Sequence, residues 1–520
     1  MRAFTLILAV LLGMLPALVS AAVKPAALFS DHAVLQRGRP LPVWGHADPG
    51  EPIVVQLAGQ EVATRADAAG RWRVTLVAIT AAGPHTMTIR GSGAAVKIDD
   101  ILVGEVWVCS GQSNMERAMR LTQDAEKEIA AANFPQIRLL TVPKRPATTP
   151  RDDLDAKWEL CSPATVAGFS AVAYYYGREL TRELGCPVGL IHSSWGGTVA
   201  KVWTPESAMK ADPQLHLILE REQERIRDLP KARIQYEKNR AAWEQRRAAD
   251  PKKAGPSPLE PTVASKGGAA HLYNGMIHPL IPYAMRGVAW YQGESNRNAP
   301  QQYRALLPAL IQSWRAAWGQ DDAQFGRDFP FLLVQIANYL APNDDPNVAS
   351  PWAEIREVQR LTSREVRHAP LSVTIDIGDE KDIHPLNKLD VGKRLALSAL
   401  KLAYGREIVA SGPSFQAIRV EEAKAVLTFG DVGGGLVAKG GELTGFAIAG
   451  EDRRYFKAQA SIVGDTVIVA APQVTRPVAV RYLWADNPTA SLFNREGLPA
   501  SPFQTDSWPA VWRKAEGAEP

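Results

Sequence analysis

The residue types that acyl transfer requires occur at two widely separated points of the chain. One is a serine in Gly111-Gln112-Ser113-Asn114-Met115, the other a histidine in Asp382-Ile383-His384-Pro385. A serine hydroxyl is a poor nucleophile at neutral pH and needs a base within hydrogen-bond reach. His384 is the candidate base, taking the proton from Ser113 and returning it to a leaving oxygen. A carboxylate beside the imidazole would hold its tautomer and stabilise its cation. Asp382, two positions away, can face the same side on an extended backbone; Asp379 is the rival for that role. Taken alone, each stretch is an ordinary loop. Their positions next to apolar strands give them weight.

Ser113 follows the run Ile101-Leu102-Val103-Gly104-Glu105-Val106-Trp107-Val108-Cys109, a buried strand ended by a glycine turn. Open α/β sheets place their ligands outside the carboxyl ends of such strands. The pattern repeats downstream. Val188-Gly189-Leu190-Ile191-His192 leads into Ser193-Ser194-Trp195-Gly196-Gly197-Thr198, and Gly287-Val288-Ala289-Trp290-Tyr291 into Gln292-Gly293-Glu294-Ser295-Asn296. The glycines permit a close approach of backbone N–H groups, and the Gln292 amide is a second donor. Preorganised donors facing an oxyanion contribute about 3 kcal/mol each to the transition state. Trp195, Tyr291 and Trp203 are of the type that lines a sugar pocket, with core packing the alternative. Trp195, Tyr291 and Glu294 are the candidate substrate contacts. There is no His-Glu-x-x-His and no cysteine pair at zinc spacing, so neither metal nor cofactor is expected. His192, His271 and His278 read as structural or substrate-contacting side chains.

The N-terminal segment 1–21 reads as a secretory signal, with Arg2 followed by an apolar core from Phe4 to Leu15 and small residues Val19-Ser20-Ala21 before a cleavage point near Ala22. The apolar stretch falls short of the roughly 20 residues of a spanning helix. The expected product is soluble and exported, to a periplasm or outside the cell. At 520 residues the chain exceeds what one core supports, so two or three domains are expected. A net charge of +4 built from mixed charges does not suit a nucleic-acid partner. Of the three cysteines, Cys109 reads as a small buried apolar residue. Pairing of Cys161 with Cys186 is open.

Short strands separated by Gly, Pro and Asp turns fill 22–100 and predict an N-terminal β-sandwich module. Over 101–410 apolar strands alternate with helix-like stretches at 171–184, 300–318 and 391–403, which predicts a parallel sheet with helices on both faces. Within it, 205–268 looks inserted: a charge-rich stretch of one or two exposed helices followed by a loop. Strand patterns return over 411–520, predicting a C-terminal β-module.

Gly111-Gln112-Ser113-Asn114-Met115, Trp195-Gly196-Gly197-Thr198, Tyr291-Gln292-Gly293-Glu294-Ser295 and Asp382-Ile383-His384-Pro385 resemble the conserved blocks of the sialate O-acetylesterase group of SGNH hydrolases. Some relatives in that group are acetyl-xylan or xyloglucan esterases. Leu28-Phe29-Ser30-Asp31-His32-Ala33-Val34-Leu35-Gln36 and Leu272-Tyr273-Asn274-Gly275-Met276-Ile277 extend the similarity over nearly the whole chain. The resemblance implies a serine esterase that removes O-acetyl groups from carbohydrates through an acetyl-enzyme. It implies a flavodoxin-like three-layer α/β/α domain flanked by β-sandwich-type modules. It assigns Ser113 as nucleophile, His384 as base, and Gly196, Gln292 and the Ser113 amide to the oxyanion hole, with Asn296 a less favoured donor. Many SGNH hydrolases carry Asp three residues before the histidine, whereas this chain has Lys381. Asp382 or Asp379 must then orient His384, or a Ser-His dyad suffices.

One alternative is a carbohydrate-binding protein with a vestigial esterase site. A lipase or peptidase is disfavoured because the Gly-x-Ser-x-Gly elbow is absent. A sialate ester would call for a cationic clamp, with Arg117 and Lys201 as candidates. A neutral plant glycan would rely on aromatic surfaces.

Overall fold

The apolar run before Ser113 is the second half of one continuous strand, β1 (Val96–Gly111), which runs directly into a single helical turn, α1 (Ser113–Glu116). This is seen in a computed structural model that describes residues 23–508. The segment read as a signal, 1–21, lies outside the described residues. Next come β2 (Phe134–Thr141), β3 (Glu159–Cys161), α2 (Ala171–Leu184) and β4 (Val188–Ser194). Helices α3 (His216–Arg227) and α4 (Leu229–Ala249) lie in the stretch read as inserted, and nearly all of α4 is exposed. Further along come β5 (Gly287–Tyr291), α5 (Pro300–Trp318), β6 (Phe331–Val334), α6 (Pro351–Glu365), β7 (Leu371–Ser372) and α7 (Leu389–Tyr404). The protein is thus mixed α/β with several sheets. Among the described residues no helix is long and apolar enough to cross a membrane.

The central sheet has the order β3-β2-β4-β1-β5-β6-β7, parallel throughout except for β3 against β2. Strand order reverses at β1, whose neighbours β4 and β5 lie on either side. Flavodoxin itself has its second strand beside the first; here β4 separates β2 from β1. Alternation along β1 sends side chains to opposite faces. Trp107 and Cys109 join a buried cluster with Val172 and Tyr176 of α2 and Leu395 and Ala399 of α7. Val106 and Val108 join another with Leu306, Leu310 and Trp314 of α5 and Ile355 of α6. Each fully buried side chain of this size contributes about 1.5–3 kcal/mol.

No linker separates the N-terminal strands from this sheet. The strand His85–Arg90 pairs antiparallel with the first part of β1, and Val34–Gln36 pairs parallel with Leu102–Gly104. The boundary expected at 100/101 therefore falls inside a strand, where Asp100 takes φ 56°. At the C-terminal end, two four-stranded antiparallel sheets contribute Leu427, Val467, Ile448 and Val480 to one buried cluster. Phe415 stacks on Phe503 between them, centroids 4.5 Å apart. Cys109, Cys161 and Cys186 are all buried free thiols, so Cys161 and Cys186 do not pair.

Glu105, midway along β1, is completely buried. It accepts from Gln36 Nε2 at 3.0 Å and Arg286 Nε at 2.8 Å and is also paired with Arg37, tying the N-terminal segment to the start of β5. Burial alone would raise its pKa, but these partners hold it below the ordinary carboxylate value, Arg286 first. Removing one member of a buried pair leaves the other charge uncompensated, at a cost of about 3–5 kcal/mol. Glu105→Ala is accordingly expected to lower unfolding free energy by about that amount, read from urea denaturation.

Candidate active site

The turn after β1 is dictated by crowding. Gly111 takes φ 139°, and a side chain there would collide with the Tyr291 carbonyl. Gln112 N–H donates to that carbonyl at 3.0 Å, and Trp195 N–H donates to the Gly111 carbonyl at 3.2 Å. The ends of β4, β1 and β5 are thereby stitched together. Ser113 is the first residue of α1, so its backbone N–H is one of the donors a helix start leaves unpaired. It is partly exposed, and its Oγ makes no hydrogen bond to the described residues.

Gly196 lies against it: a Cβ built there would sit 3.1 Å from Ser113 Cβ and 3.1 Å from Glu116 Oε2. The Gly196 N–H donates to the Glu116 carboxylate, which is also paired with Lys144. One expected oxyanion donor is therefore occupied by a side chain of α1. The Gln292 amide is also committed. Completely buried, its Nε2 contacts Asn296 Oδ1 at 2.7 Å and Gln112 Oε1 and the Thr198 carbonyl at 3.2 Å each. This corrects its expected direct part in the oxyanion hole, because an amide nitrogen has two hydrogens and three acceptors already face it. Asn296, the less favoured donor, accepts from Gln292 and from Ala200 N at 3.0 Å through Oδ1, while its Nδ2 makes no hydrogen bond to the described residues.

His384 Nδ1 is 3.1 Å from Asp382 Oδ1, and the same oxygen accepts the His384 backbone N–H at 2.9 Å. The other Asp382 oxygen is 3.7 Å from Arg117. Asp379 instead caps its own turn, its Oδ1 accepting from Lys381 N at 2.7 Å and Asp382 N at 3.0 Å, and it makes no hydrogen bond to His384. No hydrogen bond joins Ser113 Oγ to His384 directly. Their chain neighbours do meet, Asn114 Nδ2 donating to the Ile383 carbonyl at 3.1 Å; further along both segments, Gln123 N–H donates to the Leu386 carbonyl at 3.0 Å. Catalytic hydrogen bonds in ligand-free enzymes commonly close only when substrate is bound.

Other expectations are corrected by burial. Tyr291 is 0 % and Glu294 2 % exposed, so neither side chain presents surface to a substrate, contrary to expectation. Trp203 is core, its Nε1 donating to Thr198 Oγ1 at 2.9 Å. Lys201 faces the charged groups of α3, Glu222, Arg225 and Arg221, rather than Ser113. Trp195 remains partly exposed. Two residues that sequence reading missed, Lys144 and Lys266, each place an ammonium 5.7 Å from the Trp195 ring centroid. No motif marks them, since they come from loops outside the four blocks.

No family model matches the chain. Similarity to individual proteins is extensive, and it defines a carboxylic ester hydrolase. The chain belongs to the sialate O-acetylesterase family. It is 30% identical to the sialate O-acetylesterase of Rattus norvegicus over 403 residues, 71% of this chain and 72% of that one. To the sialate O-acetylesterase of Homo sapiens it is 29% identical over 413 residues, 74% and 72% of the two chains. The crystal structure of a carbohydrate acetylesterase from Xanthomonas citri superposes with a TM-score of 0.79 at 38% identity, covering 94% of this chain and all of that one.

Burial lowers the His384 pKa below its ordinary value, opposed by Asp382 and aided by Arg117 and Lys388. The neutral imidazole thus persists below about pH 6.5. Titration of the His384 ring by NMR is expected to give a midpoint below that value. Asp382→Asn, which removes the group favouring the cation, should move the midpoint lower still.

Proposed function

We propose that the chain removes O-acetyl groups from carbohydrates, with Ser113 as nucleophile, His384 as general base and Asp382 as the orienting carboxylate. The observation that carries the assignment is the Asp382–His384 contact on a loop tied to Ser113's own turn. With Nδ1 held by Asp382, Nε2 is left as the proton acceptor. Ser113 Oγ attacks the acetyl carbonyl as its proton passes to His384 Nε2. The Ser113 N–H and, once Glu116 swings wholly onto Lys144, the Gly196 N–H receive the oxyanion. Gln292 acts through Asn296, whose amide it orients. The tetrahedral intermediate collapses, His384 protonates the departing sugar oxygen, and water activated by His384 releases acetate from the acetyl-enzyme.

The domain reading is a three-layer α/β/α catalytic unit over about 101–410, between β-sandwich-type modules of 22–100 and 411–520, with the helical insertion near 205–268. The residue pattern of the N-terminal segment supports export.

The ester substrate favoured by the site is an acidic sugar such as an O-acetyl sialate. Lys266 has no ion-pair partner among the described residues, and it lies with Lys144 beside Trp195 and Gly197. The second reading, an acetylated xylan or xyloglucan, is supported by the part-exposed Trp195 ring. Ser113→Ala is expected to lower turnover of a chromogenic acetate ester by roughly 10⁴-fold or more with the fold intact. Retention of near-full turnover refutes the assignment. Acetate release from O-acetyl sialic acid, acetyl-xylan and acetyl-xyloglucan, measured in parallel, separates the two substrate readings.

A further inference from the structure

We propose that the Asn114 side-chain amide is a positioning residue that sets Ser113 and His384 against each other, locked in orientation by the buried side chains of Lys388 and Glu294. This rests on the assignment of Ser113 and His384 above.

Asn114 is 1 % exposed, and both ends of its amide are engaged. Its Oδ1 accepts from Lys388 Nζ at 2.5 Å; its Nδ2 donates to Glu294 Oε1 at 2.6 Å and to the Ile383 carbonyl at 3.1 Å. An ammonium can only donate, and a carbonyl only accept, so these partners fix which end of the amide is oxygen. One planar group thereby joins three strand-end segments: the turn after β1, the turn after β5 and the loop that leads into α7. Asn114 is the chain neighbour of Ser113, and Ile383 that of His384. A rotation of this amide would therefore shift the nucleophile relative to the base.

Lys388 is poorly explained by the fold alone. It is completely buried at the N-terminal end of α7, where the helix dipole disfavours a cation. Among the described residues its ammonium has Asn114 as its one hydrogen-bond partner, with the Tyr291 ring centroid 5.5 Å away. Glu294 Oε2 is buried and has no side-chain hydrogen-bond partner among the described residues. Buried groups of this kind are costly to desolvate. Here their common contact is the amide between the two proposed catalytic residues.

The test compares Ser113→Ala, Asn114→Asp and Lys388→Met in the full chain. Asn114→Asp keeps the shape and the acceptor for Lys388 but sets a carboxylate oxygen against Glu294 and the Ile383 carbonyl. Lys388→Met keeps side-chain length and removes the donor. Misplacement of reacting groups by about 1 Å costs on the order of 100-fold in rate. For a chromogenic acetate ester, kcat is expected to fall roughly 100-fold in Asn114→Asp and about tenfold in Lys388→Met, with KM within about threefold of the parent. The rate at which a fluorophosphonate labels Ser113 should fall in step with kcat. A merely structural role would lower the melting temperature and leave kcat and labelling of the folded fraction unchanged. That result, in either variant, overturns the inference, as does failure of both variants to fold. If Ser113→Ala keeps its turnover, the assignment of the nucleophile fails instead, whatever the Asn114 variant does.

Discussion

Everything at the carboxyl edge of the central sheet depends on how the polar backbone beyond β1 is satisfied where there is little water. Gln112 bears most of this load. Its N–H donates to the last carbonyl of β5. Its side-chain oxygen faces Gln292 Nε2 at 3.2 Å, Ser295 N at 3.2 Å and Gly293 N at 3.4 Å. A buried donor left without an acceptor costs about 1–3 kcal/mol. A single amide that faces three donors therefore defines one conformation for the turn after β5. The strand order supplies the setting. Because it reverses at β1, the loops after β4 and β5 leave on either side of Ser113, the position at which open α/β sheets bind ligands.

The charge pattern around Ser113 is set by the same economy of partners. Gly196 N–H would be an orphan beside Ser113, and Glu116 satisfies it while Lys144 balances the carboxylate. Hydrogen bonds to a charged acceptor are worth about 1.5–3 kcal/mol. A neutral ester carbonyl is a weaker acceptor than Glu116 and competes for this N–H on worse terms; an oxyanion competes as an equal. On the proposed reading, Gly196 thus binds the transition state in preference to the ground state, which is the differential that accelerates a reaction.

The elements were largely legible in the chain because their patterning is local. The helices Ala171–Leu184 and Pro300–Trp318 and the strand Gly287–Tyr291 have the bounds that apolar spacing predicts. Asp382 was legible as a neighbour of His384 because an Asp-x-His contact is made within three residues. The roles of Tyr291 and Glu294 were not. Every residue of β5 is buried, since a central strand is covered on both faces, and adjacency to a polar block says nothing about which way a side chain points. The continuity of β1 across the expected 100/101 boundary was invisible for a related reason. A strand that serves two sheets carries no change of composition where it passes from one to the other.

Lys388 marks where pattern reading stops. Beside the start of a helix, a lysine is expected to reach solvent, as long cationic side chains generally do. Here its side chain turns inward instead, to an asparagine 274 positions away. Burial lowers its pKa to about 7, Glu294 working against that shift and Arg117 with it. Burial also raises the pKa of Glu294, while Asn114 and Lys388 pull it down. The two groups do not touch each other; each touches Asn114. Their charges are therefore balanced across an amide rather than within an ion pair, and the amide cannot turn without exposing one of them to a like-natured atom. A direct Lys–Glu pair would have held the charges as well and left Asn114 free to rotate. Placing the asparagine between them converts the cost of burying two charges into a constraint on the residue next to the nucleophile.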